Sequence, residues 1–272
     1  MSMDQQRASE SAWETIGFKA HDGGAIVTLT LQRPEALNAI NRQMAKELAE
    51  ACARLADNRD VHAVIVTGAG ERAFCAGADL KERRALTASE RAAHTAEIEA
   101  AAEALAALPM PTIAALRGYA LAGGSELAVA CDLRVAGDDA VLGFPEVKIG
   151  IFPGAGGVPR LPRLVGDGTA RDLLFTGRQI NADEAFRVGL VDRVVAPEAV
   201  YETAVNLAES IAVNAPLAVR AVKRALTESY GRPVPDGRRA VNALRAALDE
   251  TQDYAEGLAA FAERRAPRFT GW

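Results

Sequence analysis

Residues 118–132 read GYALAGGSELAVACD, in which a run of small residues leads from a strand end into an apolar helix. Glycines at 123 and 124 stand where the helix is predicted to begin, and glycine lets a ligand approach the backbone closely. The first N–H groups of a helix have no partner inside it. Together with the positive end of the helix dipole, they suit an oxygen atom that becomes negative during a reaction. The stretch therefore predicts a site for such an oxygen at the start of this helix.

Two glutamates in or near this stretch are the candidate acids. Glu126 falls in the first turn of the predicted helix, where it is either a carboxylate stabilised by the helix dipole or a half-buried acid whose pKa is raised by desolvation. The sequence leaves both interpretations open. Glu146 lies in FPEVKIGIFPG, residues 144–154. In isolation Glu146 is better interpreted as an exposed turn residue after Pro145, although its apolar neighbours weaken that interpretation.

The segments around these motifs alternate between strands and helices. Short β-branched runs predict strands at 25–31, 61–67 and 112–116. Apolar residues at helical spacing predict helices at 41–56 and 87–108. Such alternation is typical of an α/β layer fold.

The strand pattern disappears from Tyr201 onward. Two helical runs are predicted instead, at 201–230 and 239–265, with a break at GRPVP, residues 231–235. A segment of this size buries little apolar surface alone, so we expect it to pack on the main body or on a neighbouring subunit. The predicted units are a loose polar tail at 1–13, a core with the active site at 14–200 and a helical segment at 201–272.

The composition argues against several classes of protein. A net charge of −5 does not favour nucleic acid or an anionic membrane surface as a partner. Three cysteines and three histidines, widely spaced, indicate neither a disulfide framework nor a metal site, and they suit a reducing compartment. No run of about 18 apolar residues predicts a membrane span, and the polar start of the chain has no apolar signal core. We therefore expect a cytoplasmic protein without a metal.

Two other glycine-rich stretches imitate nucleotide-binding motifs. Residues 68–73, GAGERA, fit GxGxxA, but that fingerprint requires a helix at once and this loop continues to Ala78. Residues 154–157, GAGG, lack the GKS or GKT ending of a phosphate-binding loop. A nucleotide site is therefore not expected.

Further motifs follow one another along the chain. They are QRPEALNAIN (32–41), AFCAGADLK (73–81), PTIAA (111–115) leading into 118–132, PE (145–146), PGAGG (153–157), RLPR (160–163), residues 185–191 and APRF (266–269). In this order the motifs resemble those of the enoyl-CoA hydratase/isomerase (crotonase) family, over nearly the whole chain beyond the first dozen residues. The resemblance implies an α/β fold, a crotonase-like spiral of ββα turns with a C-terminal helical trimerisation segment. It also implies a homo-oligomer, either a trimer or a dimer of trimers.

The resemblance further implies what the site residues do. The backbone N–H groups of Ala78 and Gly123 would form an oxyanion hole for the thioester carbonyl of an acyl-CoA, and Glu126 and Glu146 would hold a water molecule. That water adds to C3 of a 2-enoyl-CoA while C2 receives a proton, so no metal or other cofactor is required. The expected substrate groove comprises Arg33, Glu35, Ala36, Leu37, Ala76, Asp79, Leu80, Lys81, Tyr119, Gly124, Pro145 and Gly154, with Phe261 and Arg264 from a neighbouring subunit.

The presence of both acids favours hydration over double-bond isomerisation, which needs mainly the acid at Glu146. We expect Glu146 to give the proton to C2 and Glu126 to act as the base. Isomerisation, thioester hydrolysis and decarboxylation on the same scaffold are the alternatives. The chain departs little from the family pattern: Ala122 begins the usual triple glycine, and Ser125 replaces its common cysteine.

A narrower likeness is to methylglutaconyl-CoA hydratases, one of which also binds RNA. It rests on DLKERR at 79–84 and on the Pro-Arg-Phe tail. Lys81, Arg83 and Arg84 are interpreted as a solvated helix face or as partners of CoA phosphates, in preference to an RNA surface. The expected setting is fatty-acid or branched-chain acyl-CoA breakdown, with an acyl pocket shaped by residues 80–95 and by those after Gly118.

Overall fold

The computed structural model describes residues 13–21 and 23–272, so the predicted polar tail lies outside the described residues except for Trp13. Within them the strands are β1 (Ile16–Ala20), β2 (Ile26–Leu31), β3 (Ala63–Gly68), β4 (Ala73–Cys75), β5 (Thr112–Leu116), β6 (Tyr119–Leu121), β7 (Leu133–Gly137), β8 (Val141–Gly143), β9 (Gln179–Asn181) and β10 (Arg193–Val195). The α-helices are α1 (Arg42–Ala56), α2 (Leu80–Ala85), α3 (Ala88–Ala106), α4 (Gly123–Ala130), α5 (Gly157–Thr176), α6 (Ala182–Arg187), α7 (Val200–Ala212), α8 (Pro216–Ser229), α9 (Val234–Ala247) and α10 (Gln252–Glu263). Short 3-10 helices lie at Pro34–Ala36, Pro145–Ile149, Pro197–Ala199 and Leu248–Glu250.

A strand–strand–helix unit recurs along the chain. The first strands of these units, β3, β5 and β7, lie in a six-stranded sheet of order β1-β2-β3-β5-β7-β10. The second strands, β4, β6 and β8, lie in a four-stranded sheet of order β4-β6-β8-β9. In the larger sheet, β2, β3, β5, β7 and β10 pair in parallel, each with the next. In the smaller sheet, β4 pairs in parallel with β6, and β6 pairs in parallel with β8. Each unit thus adds one strand to each sheet before its helix, which confirms the predicted α/β spiral of ββα turns.

The core holds the site helix firmly in place. The strand β5, TIAAL, is buried at all five positions, because parallel strands are covered on both faces. One apolar cluster lies between the larger sheet and α7, where Ile65 and Ile113 pack with Ala204. A larger cluster includes Phe74 of β4 and Leu127 of α4. The loop after β4 and the start of α4 are therefore anchored in the same core.

The predicted elements of the first half agree closely with the structure. The strand at 112–116 matches β5 residue for residue, and the other two predicted strands begin one and two residues later than expected. Asn41 caps α1, since its side chain accepts from Met44 N–H. Thr87 forms a capping box with Glu90, which fixes the start of α3. The longer predicted helix ends two residues early, at Ala106.

The prediction for the C-terminal helices is wrong in detail. The first run is interrupted, because Pro216 begins a new helix, α8. The second run begins at Val234 rather than Arg239, so the predicted break at 231–235 is partly helical. In both helices a proline occupies the first turn. The N–H groups of that turn have no partner inside the helix, and the fixed φ of proline suits a helix start, so the proline is tolerated there.

The C-terminal segment packs unevenly on the rest of the chain. The helix α7 lies on the larger sheet, as expected. The helices α8 and α9 bury one residue each, Pro216 and Gly237, and α10 leaves Phe261 87% exposed. Apolar side chains of these three helices are therefore uncovered in the single chain. Among the residues that the structure describes, none of the helices has the length and apolar character that a membrane span requires.

Candidate active site

The start of α4 and the loop after β4 place two backbone N–H groups side by side. Ala78 N lies 3.6 Å from the position that a Cβ would take on Gly123. Two bonds to Ile40 fix the loop: Ile40 N–H donates to Gly77 O (2.8 Å), and Asp79 N–H donates to Ile40 O (2.9 Å). Neither Ala78 N–H nor Gly123 N–H donates to an acceptor among residues 13–21 and 23–272. Both residues line one cavity, so a single bound oxygen can accept from both.

Close backbone packing brings the two donors together. Gly77 has a φ of 99°, and a Cβ there would lie 2.8 Å from Ala122 Cβ. A Cβ on Gly124 would lie 2.0 Å from Cys75 O. Gly124, which we predicted to line the groove, instead lets the helix start abut β4. Any larger residue at 77 or 124 would push the donors apart.

The two departures from the family pattern leave both donors in place. Ala122 has a φ of 50° and a ψ of −124°, a strained conformation for a residue with a Cβ, and its N–H donates to Gly143 O (2.9 Å). Ser125 Oγ donates to Ala120 O (2.6 Å) and accepts from Gly143 N–H (3.2 Å). The serine therefore ties α4 to β6 and β8, the two strands beneath the site.

Glu126 is a buried acid held at one oxygen. Only 3% of the residue is exposed, and Oε1 accepts from Ala155 N–H (2.7 Å) and Gly157 N–H (2.9 Å). Burial raises the pKa of Glu126, although these two donors and the charge of Arg160 act in the opposite direction. Of the two interpretations that the sequence left open, the desolvated acid is the one the structure shows.

Glu146 is also buried, with 6% of the residue exposed. It lies in the 3-10 helix Pro145–Ile149, directly after the buried Phe144. Burial and the neighbouring Glu126 raise the pKa of Glu146 to about 7. Its Oε2 is buried and has no hydrogen-bond partner among the described residues. The exposed-turn interpretation is therefore wrong, because the helix turns this one side chain inward while Val147 and Ile149 stay exposed.

Both acids and both N–H groups open into one cavity of about 560 Å³. The predicted residues that line it are Ala76, Ala78, Leu80, Gly123, Glu126, Pro145, Glu146 and Gly154. Arg83 and Thr95, from the stretch expected to shape the acyl pocket, line it too. Ala122, one of the residues after Gly118 that were also expected to shape the acyl pocket, belongs to the wall as well. The remaining lining residues were not predicted as site residues, and they are Ile98, Lys148, Ile149, Gly150, Ile151, Phe152 and Ala155. The run IGIF at 149–152 is exposed in the structure. Its apolar composition, between Glu146 and the glycine motif at 153–157, is the sequence signal that could have found it.

Other predicted groove residues do not line this cavity. They are Arg33, Glu35, Ala36, Leu37, Asp79, Lys81, Tyr119, Gly124, Phe261 and Arg264. Arg33 Nη1 instead pairs with Asp79 Oδ2 (3.0 Å), and Asp79 Oδ1 caps α2 by accepting from Lys81 N–H (3.0 Å). Leu37 O accepts from Ala76 N–H (3.0 Å), so the loop at 33–39 lies against the cavity edge. A contribution of Phe261 and Arg264 to a neighbouring subunit stays a prediction.

The basic run at 81–84 is split between two environments. Lys81 and Arg84 are exposed, whereas Arg83 turns into the cavity wall. This division weakens the RNA-surface alternative, which needs all three cations on one face. Within the described part of the chain, no three His, Cys, Asp or Glu side chains gather closely enough to hold a metal ion.

Comparisons with known proteins agree on one family. The family model described as enoyl-CoA hydratase/isomerase matches residues 21–272. The chain is 42% identical over 250 residues to the mitochondrial enoyl-CoA hydratase domain-containing protein 2 of Mus musculus, covering 90% of this chain and 84% of that protein. The crystal structure of an enoyl-CoA hydratase from Bacillus anthracis has a TM-score of 0.93 and 39% identity, covering 95% of this chain and 100% of that one. An enoyl-CoA hydratase structure from Mycobacterium smegmatis has a TM-score of 0.88 and 33% identity, covering 94% and 99%.

Proposed function

Since the chain belongs to the enoyl-CoA hydratase/isomerase family, we propose that it adds water across the 2,3 double bond of a 2-enoyl-CoA to give a 3-hydroxyacyl-CoA. The observation that carries the proposal is the pair of buried acids, Glu126 and Glu146, in one cavity with two uncommitted backbone N–H groups. Isomerisation moves a proton between two carbons and needs one acid. Hydration moves two protons and an oxygen, for which two acids suffice.

In the proposed mechanism, Ala78 N–H and Gly123 N–H donate to the thioester carbonyl oxygen. This draws electron density from the double bond and makes C3 electrophilic. The negative charge that develops on the oxygen is stabilised by both donors, and one such donor contributes about 3–4 kcal/mol to transition-state stabilisation in other enzymes. The rigid packing at 77 and 124 keeps the donors fixed, so no reorganisation is needed during the reaction.

The two acids differ in a way that supports different roles. Glu126 has Oε1 engaged by two N–H donors, which favour its ionised form. We assign it as the base that removes a proton from water as the water oxygen bonds to C3. Glu146 lacks such donors at Oε2, and its pKa of about 7 keeps the protonated form populated near neutral pH. We assign it as the acid that gives its proton to C2. All transfers are between carboxyls, water and carbon, so the proposal requires no metal or redox cofactor.

Crotonyl-CoA hydration tests this function directly. The purified protein should remove the enoyl absorbance of crotonyl-CoA and leave a 3-enoyl-CoA unconverted. The opposite pattern, with crotonyl-CoA and branched 2-enoyl-CoAs untouched and a 3-enoyl-CoA turned over, would establish the isomerase alternative instead.

Arg160 should set the pH dependence of the base. Its Nη1 donates to Ala155 O (3.2 Å), its Nη2 pairs with Glu103 Oε1 (2.6 Å), and its charge lowers the pKa of Glu126. The other charged groups that act on Glu126 are Glu99 and, across the cavity, Glu146. Because Glu126 must be ionised to accept a proton, Arg160→Met should raise its pKa and lower kcat/KM about tenfold on the acidic side of the profile. The rate at higher pH should largely recover.

The control for this prediction is Glu103→Gln, which removes the ion pair but keeps the arginine and its bond to Ala155 O. At acidic pH, kcat/KM of Glu103→Gln should stay close to that of the wild type. The value for Arg160→Lys should fall between those of Glu103→Gln and Arg160→Met. A full pH profile of kcat/KM for crotonyl-CoA makes the comparison. An Arg160→Met profile that is lowered equally at every pH would show a structural role only.

We also propose a homo-oligomer, a trimer or a dimer of trimers, in the cytoplasm. The exposed apolar side chains of Val222, Leu226 and Phe261 on the C-terminal helices support assembly with further copies. Three buried free thiols, Cys52, Cys75 and Cys131, are compatible with a reducing compartment. Fatty-acid or branched-chain acyl-CoA breakdown is the proposed setting.

A further inference from the structure

A buried histidine beside the loop after β4 has no role in the proposed hydration. His94, on α3, has no exposed surface, and neither of its ring nitrogens has a hydrogen-bond partner in the part of the chain that the structure describes. Buried polar groups without partners cost free energy, which an apolar ring of similar size would avoid. What an imidazole offers over an apolar ring is the uptake of a proton close to neutral pH.

Two oxygen atoms face the ring of His94, and both already accept a hydrogen bond. Glu82 Oε2 lies 3.9 Å from His94 Nε2, and it accepts from Arg42 N–H (3.0 Å). The Ile40 carbonyl is near enough to favour the protonated ring, and it accepts from Asp79 N–H (2.9 Å). The ring therefore lies between two hydrogen bonds that join the start of α1 to α2 and the loop before it.

These two bonds hold the loop that carries the Ala78 N–H. Ile40 forms an isolated parallel bridge with Ala78, and the bond to the Ile40 carbonyl is part of that bridge. Glu82 lies in the first turn of α2, which begins two residues after Ala78. Weakening either bond would let the Ala78 N–H move relative to the Gly123 N–H, its partner in the oxyanion hole.

The charged groups around His94 come from three helices. Burial lowers the pKa of His94 below its ordinary value, and the charge of Arg83 on α2 acts in the same direction. Glu82 on α2 and Glu97 on α3 favour the protonated ring. Arg42 on α1 pairs with Glu97 (2.6 Å) and so keeps that carboxylate engaged. The ring is therefore neutral at pH 7 and takes up its proton in acidic solution.

We propose that His94 is an acid-sensitive positioning residue for the Ala78 donor, so that protonation of its ring lowers the hydration rate in acidic solution. The inference rests on the proposed hydration. A protonated imidazole has two N–H donors, and the oxygens that face it are those of Ile40 and Glu82. It competes for them with the N–H groups that hold the loop, and its charge strengthens its bond to the carboxylate. The loop then loses the fixed geometry that an oxyanion hole requires.

The first test compares pH profiles of kcat/KM for crotonyl-CoA between the wild type and His94→Phe, whose ring cannot take up a proton. Protonation of the base Glu126 alone lowers kcat/KM by at most about tenfold per pH unit. The wild type, in which His94 is protonated as well, should fall more steeply, by up to about 100-fold per unit. His94→Phe should stay within about threefold of the wild type above pH 7 and fall by no more than about tenfold per unit below it.

Two further variants accompany this comparison. His94→Gln is uncharged and smaller than the phenylalanine variant, and it should have the same shallow profile. His62→Gln is the matched control, because His62 Nδ1 contacts Ala212 O (3.1 Å) and the residue does not line the cavity. Its profile should be as steep as that of the wild type.

The second test follows the proton on His94 by NMR in the wild type, with the ring signals assigned by their loss in His94→Phe. The signals should titrate at the pH where the wild-type profile becomes steeper than that of the variant. Butyryl-CoA presents a thioester carbonyl to the donors and has no double bond to hydrate. Its binding favours the loop that the neutral ring leaves in place, so it should move the titration to lower pH by about half a unit or more.

Three results would overturn the proposal. Equally steep profiles for the wild type and both His94 variants would remove the ring from the pH dependence. Rates lowered by the same factor at every pH in both variants would show that His94 only fills space. A titration that butyryl-CoA leaves unchanged or moves to higher pH would show that protonation does not loosen the loop. A wild type that fails to hydrate crotonyl-CoA would refute the proposed hydration, and the butyryl-CoA titration would then decide the role of His94 alone.

Discussion

Replacing Glu146 by glutamine is expected to lower kcat for crotonyl-CoA hydration by about 10²- to 10⁴-fold. The amide has nearly the shape of the carboxyl but no proton to give to C2. The buried Oε2 of Glu146 has no hydrogen-bond partner among the described residues, so no neighbouring group is positioned there to replace the acid. Steady-state kinetics of the purified variant give the value. Glu209→Gln, which changes an exposed acid on α7 that does not line the cavity, should keep the wild-type rate.

The same substitution should stabilise the fold in mildly alkaline solution. Glu146 has its ordinary pKa near 4.5 when unfolded and about 7 when folded, so folding takes up a proton between these values. The wild type therefore loses stability as the pH rises from about 4.5 to about 7, by about 1–3 kcal/mol. Glutamine does not ionise, and Glu146→Gln should unfold at higher urea concentration than the wild type at about pH 8 but not at about pH 4.

A Glu146→Gln variant with a near-wild-type rate would remove this residue from the mechanism. A variant that is inactive and also less stable at both pH values would show that the loss of activity comes from misfolding. If Glu146 is a catalytic acid whose ionised form is destabilised by burial, Glu146→Gln should combine low activity with raised stability at alkaline pH.

Replacing Glu126 by glutamine is the second change with a large expected effect, again about 10²- to 10⁴-fold in kcat. The amide oxygen can still accept from Ala155 N–H and Gly157 N–H, so the loop that these residues form should stay in place. The amide cannot take a proton from water, and the attack on C3 loses its base. Binding of butyryl-CoA, which has no double bond to hydrate, should keep nearly the wild-type affinity. Calorimetry gives that affinity alongside the kinetics.

The double variant Glu126→Gln/Glu146→Gln should be little slower than either single variant, because two groups that act in one step are strongly non-additive. Full additivity of the two losses would contradict a shared step. A Glu126→Gln variant that loses affinity for butyryl-CoA in proportion to its activity would indicate a disturbed loop and not a missing base.

Local sequence signals explain why much of the fold could be predicted. The strand β5 is a β-branched run between prolines and a glycine turn, and Thr87 with Glu90 marks the start of α3 by a capping box. The glycines at 123 and 124 predicted the helix start, and at 124 only a residue without a Cβ allows the close contact with β4. In the tail, Pro216 and Pro235 start helices, whereas the sequence interpretation treated the region around the second of them as a break.

The inward turn of Glu146 could not be predicted from local sequence. A glutamate after a proline is usually exposed, and its burial here results from long-range packing of the 3-10 helix against α5, which turns the side chain into the cavity. The same holds for Arg83, which has exposed charged neighbours on a short helix and faces the cavity through its contact with Thr95. Family resemblance supplied the pairing of Glu126 with Glu146 that residue-by-residue interpretation left open.

Turnover of crotonyl-CoA in oxygen-18 water, with mass spectrometry of the product, tests the central claim most directly. If Glu126 and Glu146 add water to the double bond, the product is 3-hydroxybutyryl-CoA with one heavy oxygen on C3 and none in the thioester carbonyl. Label in a released carboxylate would show thioester hydrolysis. An unlabelled acyl-CoA with a moved double bond would show isomerisation, and either result would contradict the hydratase mechanism.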